Sequence, residues 1–382
     1  MKSKILIFYD YFPPAFKGGG IIRSVYNLSE CLSEFYDIYV FTSNSDLDGS
    51  PIVAMKPNTW IQYSVNLKVF YSDGDSKNFK RIFHTMNSIK PDVIYLNGLF
   101  TPKFSFIPLV LGRFLNFSPL WVLAPRGMLQ QGALSIKPLK KQVYLFVLKQ
   151  FGLLTKVKWH ATDQQEELDV IRIFGPESWV EKASNIPTFS VPANFNFEKK
   201  VNELKIVFLA LVSPVKNLKY LIDLINEIPD DISIILDIYG PVKDLAYWKE
   251  CQKSIKMAPL HVKIIYKGEI EPHKVNEILG SYHLFSLLSL GENFGHSIFE
   301  SLIAGTPVLI SDKTPWKELE NYGAGWDVNL DNPSRIKNII LEIAKLGQMK
   351  YNYLRKGARK HAEDYLEKND FKKQYQEIFE LE

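Results

Sequence analysis

Short apolar runs alternate with helix-patterned stretches in two successive series, and this most limits what the chain can become. The first series reads KILIFYDYF, DIYVFTS, DVIYLNG, LWVLAPRG and VKWHAT; the second reads LKIVFLALVS, SIILDIYG, VKIIYKGE, HLFSLLSL and PVLIS. Runs of this length and composition are buried strands, and helical stretches between them predict parallel sheets covered by helices. From about Ile22 to Phe35, for example, Ile22, Val25, Leu28 and Leu32 share one helical face. The expected fold class is α/β with two doubly wound, Rossmann-like domains, since 382 residues are too many for one ordinary core. The first domain is expected over 1–190 and the second over 204–364, with an aperiodic linker at 191–203 and a charged, helical tail from about Met349 to Glu382.

The start of the chain is a strand rather than a signal sequence. ILIFY is short, meets Asp10 at once, and runs into Pro13-Pro14 without a small-residue cleavage site. No segment approaches the roughly 18 apolar residues of a membrane span. Cys31 and Cys251 lie far apart in helical patterns, which argues for a reducing compartment and against a disulfide framework or thiolate metal site. Asp46-Leu-Asp48 and Asp73-Gly-Asp75 fall in turn-rich stretches without a supporting histidine and carboxylate cluster, so no metal is expected.

The net charge of +4 is unevenly spread. Between Asp92 and Asp163 there is no acidic residue, whereas Lys103, Arg113, Arg126, Lys137, Lys140, Lys141, Lys149, Lys156 and Lys158 all fall there. One reading is a solvated face. The other is a docking surface for anionic lipid through 137–158, where KPLKKQVYLFVLKQFGLL mixes lysines with Tyr144, Leu145, Phe146, Leu148 and Phe151 as an interfacial helix does. Nucleic acid is not an expected partner, because no reading motif accompanies the charge.

The densest stretch is LGENFGHSIFESLIAG, from Leu290 to Gly305. It joins a buried strand, a Gly turn and a helix start, which places its loop at the carboxyl edge of a parallel sheet, where ligands bind. A helix start near His296 offers N–H groups and partial positive charge to a phosphate. Ser297-x-x-Glu300 equally fits a capping box, and Glu292 equally fits a solvated loop acid.

The whole string resembles the signature of glycosyltransferase family 4, the retaining sugar transferases of the GT-B fold. Glu292, Phe294, Gly295 and Glu300 fall on the positions of its E-x-F-G, four residues, E pattern, and the likeness runs on through Gly305, Pro307, Val308, TPWKELE and GAGWDV. The resemblance implies two domains facing a central cleft, with a last helix at about 365–382 crossing back to the first. It implies that Glu300 accepts from ribose hydroxyls, that Glu292 holds the donor sugar, and that the stretch Phe294, Gly295, His296, Ser297 and Ile298 faces the diphosphate. FPPAFKGGG resembles the family's Gly loop, which puts Gly19 and Gly20 beside the donor.

PDVIYLNG and APRGML are also similar to the family. Asn97 stands where many members have a His that touches the sugar, and Asn cannot titrate. Arg126 falls at a strand end, where it either faces the cleft or makes an ordinary salt bridge. His160 reads as a core histidine. FLALVSPVKNLKYL resembles the family's diphosphate clamp, with Lys216 at the Lys position but Leu211 where an Arg is usual. Loss of that charge-assisted contact costs about 1.5 to 3 kcal/mol unless another basic residue replaces it.

By this resemblance the chain moves a sugar, with retention and without metal or cofactor, from a nucleotide-diphosphate donor to a glycan or lipid-linked glycan acceptor. Glu292, Lys216 and Asn97 are the expected catalytic groups. The implied setting is surface polysaccharide biosynthesis, cytoplasmic or peripheral at the inner membrane face. The alternatives are a nucleotide-sugar 2-epimerase of the same fold and a catalytically silent subunit that binds a glycan or a partner.

Overall fold

The computed structural model describes residues 2–188 and 198–380. Positions 191–197 of the expected linker lie outside the described residues. The chain divides into two compact units, Met1–Pro187 with Asp370–Glu382, and Thr188–Asn369.

The first unit holds strands β1 (Lys4–Phe8), β2 (Asp37–Ser43), β3 (Trp60–Ser64), β4 (Leu67–Ser72), β5 (Val93–Asn97), β6 (Leu120–Ala124), β7 (Val157–Ala161) and β8 (Val180–Lys182). Its helices are α1 (Gly20–Leu32), α2 (Asn78–Ile89), α3 (Ile107–Gly112), α4 (Gln131–Leu134), α5 (Pro138–Gln150) and α6 (Gln164–Phe174). The second unit holds β9 (Glu203–Leu209), β10 (Ser233–Tyr239), β11 (Val262–Gly268), β12 (Leu284–Leu287), β13 (Val308–Ser311) and β14 (Gly325–Val328). They alternate with α7 (Leu218–Asn226), α8 (Leu245–Lys256), α9 (Val275–Gly280), α10 (His296–Ile303), α11 (Pro333–Ala344) and α12 (Gln348–Lys368). A last helix, α13 (Phe371–Phe379), packs on β6 and β8 of the first unit, so residues 365–368 finish α12 and the change of unit comes at Asn369.

The first sheet runs β3-β4-β2-β1-β5-β6-β7-β8 and is parallel except for the β3–β4 hairpin; the second runs β11-β10-β9-β12-β13-β14, all parallel. Every residue of β5, β7, β12 and β13 is buried, as strands covered on both faces require. In the first sheet the chain leaves β1 toward β2 and returns on the other side at β5. In the second it leaves β9 toward β10 and returns at β12. Each sheet therefore has one topological switch point, between β1 and β5 and between β9 and β12, where loops at the carboxyl ends diverge and leave a crevice.

Each of the ten apolar runs contains a strand, with ends trimmed by local chemistry. The first run stops at Phe8, short of Asp10 and the Pro13-Pro14 pair. The first helix begins at Gly20 and ends at Leu32, not at Phe35, because Gly19 at φ 80° turns the chain into it and Ser33 closes its last turn on Ser29. Beyond the expected strands, β3, β4, β8 and β14 complete the sheets.

The lysines of the acid-free stretch do not share one face. Lys158 sits in β7, buried, with its ammonium 4.3 Å from the Trp179 ring centre, and Arg126 is buried. The surface expected over 137–158 therefore reduces to α5 and its flanks, since β7 is interior. No described helix is long and apolar enough to cross a membrane.

Candidate active site

At the switch point of the second sheet, the loop after β9 carries Lys216 in a 3-10 turn, Pro214–Lys216, and the loop after β12 carries Glu292. The two loops are tied by backbone and side chain: the Leu290 N–H donates to Val215 O at 2.8 Å and Asn217 Nδ2 donates to Leu288 O at 3.0 Å. Lys216 Nζ then meets Glu292 Oε1 at 2.6 Å, with Glu292 almost wholly buried. A pair so little exposed is held by its hydrogen bond rather than by bulk Coulomb attraction.

Three residues further on, Gly295 begins α10 in the left-handed region, φ 78°. A Cβ there would lie 2.7 Å from Ile298 Cδ1, so both the turn and the space require glycine. Because Gly295 is the N-cap and no side chain caps the helix, Ser297 and Glu300 do not form the capping box; they lie inside the helix. The Ile298 N–H is already closed on Gly295 O at 2.9 Å, so the amides that precede the intrahelical ladder are those of Gly295, His296 and Ser297. Ile298 is fully buried, and Glu300 is buried in the second turn of the helix. The Phe294 ring is buried against His296, Phe299, Trp316 and Tyr365, and its carbonyl accepts from Trp316 Nε1 at 2.6 Å. Phe294 and Ile298 thus anchor the turn, and Glu292, Glu300 and the first amides remain as its polar content.

In the first unit, the Gly loop after β1 is pinned. The Asp46 carboxylate accepts from the Phe16 N–H at 2.9 Å and the Lys17 N–H at 3.1 Å, while Asp48 pairs with Lys17 at 2.7 Å. Gly19 caps α1 and Gly20 opens it. Asp73 accepts from Asn58 Nδ2 at 2.6 Å, and Asp75 pairs with Arg81 at 2.5 Å. Both Asp-x-Asp strings therefore organise turns. No group of three or more His, Cys, Asp or Glu among the described residues is arranged to hold a metal.

Asn97 ends β5, on the other side of the first sheet's switch point from β1. Its Oδ1 accepts from Arg126 Nε at 3.1 Å and Nη2 at 2.8 Å, while its buried Nδ2 has no partner. Arg126 is buried at φ 56° and also donates to Asn185 Oδ1 and to the Tyr95 hydroxyl, the latter at 2.8 Å. Among the described residues it makes no salt bridge at the surface. His160 Nε2 meets the Ala183 carbonyl at 2.8 Å, and a carbonyl only accepts, so Nε2 carries the proton; Nδ1 then accepts from the Tyr95 hydroxyl at 2.6 Å. Burial, and then the Arg126 charge, pull the His160 pKa down to about 3. His160 is the core histidine expected.

Two ionisable groups near these loops were not anticipated. Asp10, just past β1, has its pKa pushed up to about 6 by burial. Lys243, in the loop after β10, has its pKa lowered by partial burial of its ammonium and then by Lys216. The sequence signal for both is position alone: each follows a buried strand within four residues of its carboxyl end.

Residues 192–361 match the family model for glycosyl transferases group 1. The chain is a glycosyltransferase. No curated protein matches it by sequence. Among solved structures it is similar to sucrose-phosphate synthase from Thermosynechococcus elongatus, at a TM-score of 0.73 with 16% identity over 99% of both chains. It is also similar to HepE from Anabaena, solved in complex with UDP and glucose, at 0.70 with 18% identity over 98% of both chains. WaaG, a glycosyltransferase involved in lipopolysaccharide biosynthesis, aligns at 0.68 with 11% identity over 98% of this chain and 99% of its own. At these identities the likeness shows the fold, which is the two-domain, Rossmann-like GT-B architecture expected from the sequence.

Proposed function

We propose that the chain transfers a sugar, with retention of anomeric configuration and without metal, from a nucleotide-diphosphate donor to a glycan or lipid-linked glycan acceptor, as a family 4 member. The observation that carries this reading is the convergence of Lys216, Glu292 and the Gly295-started α10 at one switch point of a parallel sheet. The difficulty in the reaction is charge developing on the leaving diphosphate. Lys216 and the amides of Gly295 to Ser297 stabilise that charge as it forms, in a setting already oriented for it. Glu292 holds hydroxyls of the donor sugar and Glu300 those of the ribose. Gly19, Gly20 and Asn97 are donor-binding positions by the family resemblance alone. Arg126 is a positioning residue that fixes Asn97 through its Oδ1 and leaves Nδ2 as its unused donor.

On this reading the acceptor is presented at an anionic membrane. The outward face of α5 exposes Leu139, Val143 and Phe146 at i, i+4 and i+7, with Ile136 and Phe151 at its ends and Lys137 and Lys140 beside them. Apolar residues with flanking lysines and no nearby acid suit a lipid surface.

The test is thermal unfolding with UDP, GDP, ADP and CMP in EDTA, followed by sugar forms of whichever binds. A ligand of the folded state raises stability by RT ln(1 + [L]/Kd). The reading expects a shift with one base, survival of that shift in EDTA, and a product whose anomeric configuration by NMR equals that of the donor. No shift with any nucleotide, or an inverted product, would overturn it.

A further inference from the structure

The loop after β10 lies beside the loop after β9 for a backbone reason. Val212 and Val242 form a parallel bridge beyond the ends of their strands, with Val212 N–H donating to Pro241 O at 2.9 Å and Lys243 N–H donating to Val212 O at 3.1 Å. Gly240, at φ 125°, allows this approach, since a Cβ there would lie 2.0 Å from Ala210 O. Lys243 is thereby fixed next to residue 211 and within electrostatic reach of Lys216.

Two ammonium groups brought together repel unless an anion joins them. Lys216 has Glu292. Among the described residues no carboxylate forms an ion pair with Lys243, a surface residue whose ammonium is nonetheless partly withdrawn from water. The loops after β10, β9 and β12 thus bring Lys243 beside the Lys216–Glu292 pair at adjacent strand ends, while Asp244, the carboxylate next to Lys243 in sequence, is engaged as the N-cap of α8 by the Tyr247 N–H at 3.0 Å.

We propose that Lys243 binds the diphosphate of the donor together with Lys216, supplying from a neighbouring loop the second cation that Leu211 does not provide. This inference rests on the nucleotide-diphosphate reading of the same site. It also accounts for the lowered Lys243 pKa: partial burial and then Lys216 disfavour the charged form, and a bound diphosphate favours it again. Diphosphate binding therefore takes up protons at alkaline pH and weakens as pH rises.

The experiment is calorimetric titration of the full chain with UDP, GDP and ADP, and with the matching nucleosides, for wild type, Lys243→Ala, Lys243→Arg and Leu211→Arg/Lys243→Ala. The expected result is a tenfold to hundredfold weaker diphosphate affinity in Lys243→Ala with nucleoside affinity unchanged. Lys243→Arg retains affinity and loses the alkaline decline, because a guanidinium stays charged. Leu211→Arg regains most of the affinity in the Lys243→Ala background. If wild type binds a diphosphate and Lys243→Ala binds it within twofold, Lys243 is not a phosphate ligand and the functional reading stands. If wild type binds no nucleoside diphosphate, both fail.

Discussion

Arg126 in the first unit and Lys216 in the second are both basic residues at the carboxyl edge of a parallel sheet, yet they are used differently. Arg126 is buried and bonds Asn97, Asn185 and Tyr95, all neutral groups of its own unit. Lys216 is partly exposed and bonds one carboxylate on an adjoining loop, beside a second lysine and a helix start. A charge fully spent on the scaffold positions others; a charge held by a single exchangeable partner is available to a ligand. A basic side chain at the carboxyl edge of a parallel sheet is thus a strut in one unit and a binding group in the other.

The largest effect expected from this contrast is on stability. Arg126→Ala leaves Asn97 Oδ1, Asn185 Oδ1 and the Tyr95–His160 relay without their buried donor, at a cost of about 3 kcal/mol or more. For a unit of this size that lowers the melting temperature by roughly 6 to 12 °C, which calorimetry reads directly. A variant that melts as wild type does while losing ligand affinity would make Arg126 a binding residue instead.

Next comes Lys216→Ala. It removes a charge-assisted contact to diphosphate, and affinity for the nucleoside diphosphate falls tenfold to hundredfold, or about 1.5 to 3 kcal/mol. The melting temperature moves less than in Arg126→Ala. The reverse ranking of the two variants would break the contrast.

Gly295→Ala should cost about 1 to 2 kcal/mol for placing a side chain in the left-handed region, apart from the Ile298 contact. Chemical unfolding measures this. Because the turn also orients the first amides of α10, diphosphate affinity should fall with it.

The pH dependence is smaller and comes from buried histidines in both units. His160 is held neutral, with its pKa near 3, and burial lowers that of His283 to about 4. The unfolded chain protonates these rings near 6.5, so their contribution is complete above that value and is lost as pH falls toward the folded values. Between pH 6.5 and 5 each ring removes about 2 kcal/mol. Urea midpoints at pH 7.5 and 5 should show this loss, and His160→Gln should lose less on acidification than wild type.

Much of the fold was legible because strands buried on both faces are continuous apolar runs, which nothing else in the chain imitates. The β3–β4 hairpin was not, since β3 is only half buried and Gln62 and Lys68 interrupt the pattern. In the site, Glu292, Lys216 and Gly295 were named through the family resemblance of their strings, not from spacing alone. The capping-box alternative for Ser297 and Glu300 fails because the left-handed glycine before them sets the helix start and places both inside it. Lys243 was invisible for another reason. Its importance depends on the Val212–Val242 bridge, a pairing of loops distant in sequence that no local pattern records.

The most direct measurement is hydrogen–deuterium exchange of the full chain with and without the nucleoside diphosphate that binds. The account predicts that the strongest new protection falls on the loops around 212–217, 240–244 and 290–298 of the second unit, with the Arg126 region already protected and unchanged. Protection confined to the first unit, with 290–298 exchanging as in the free protein, would contradict it.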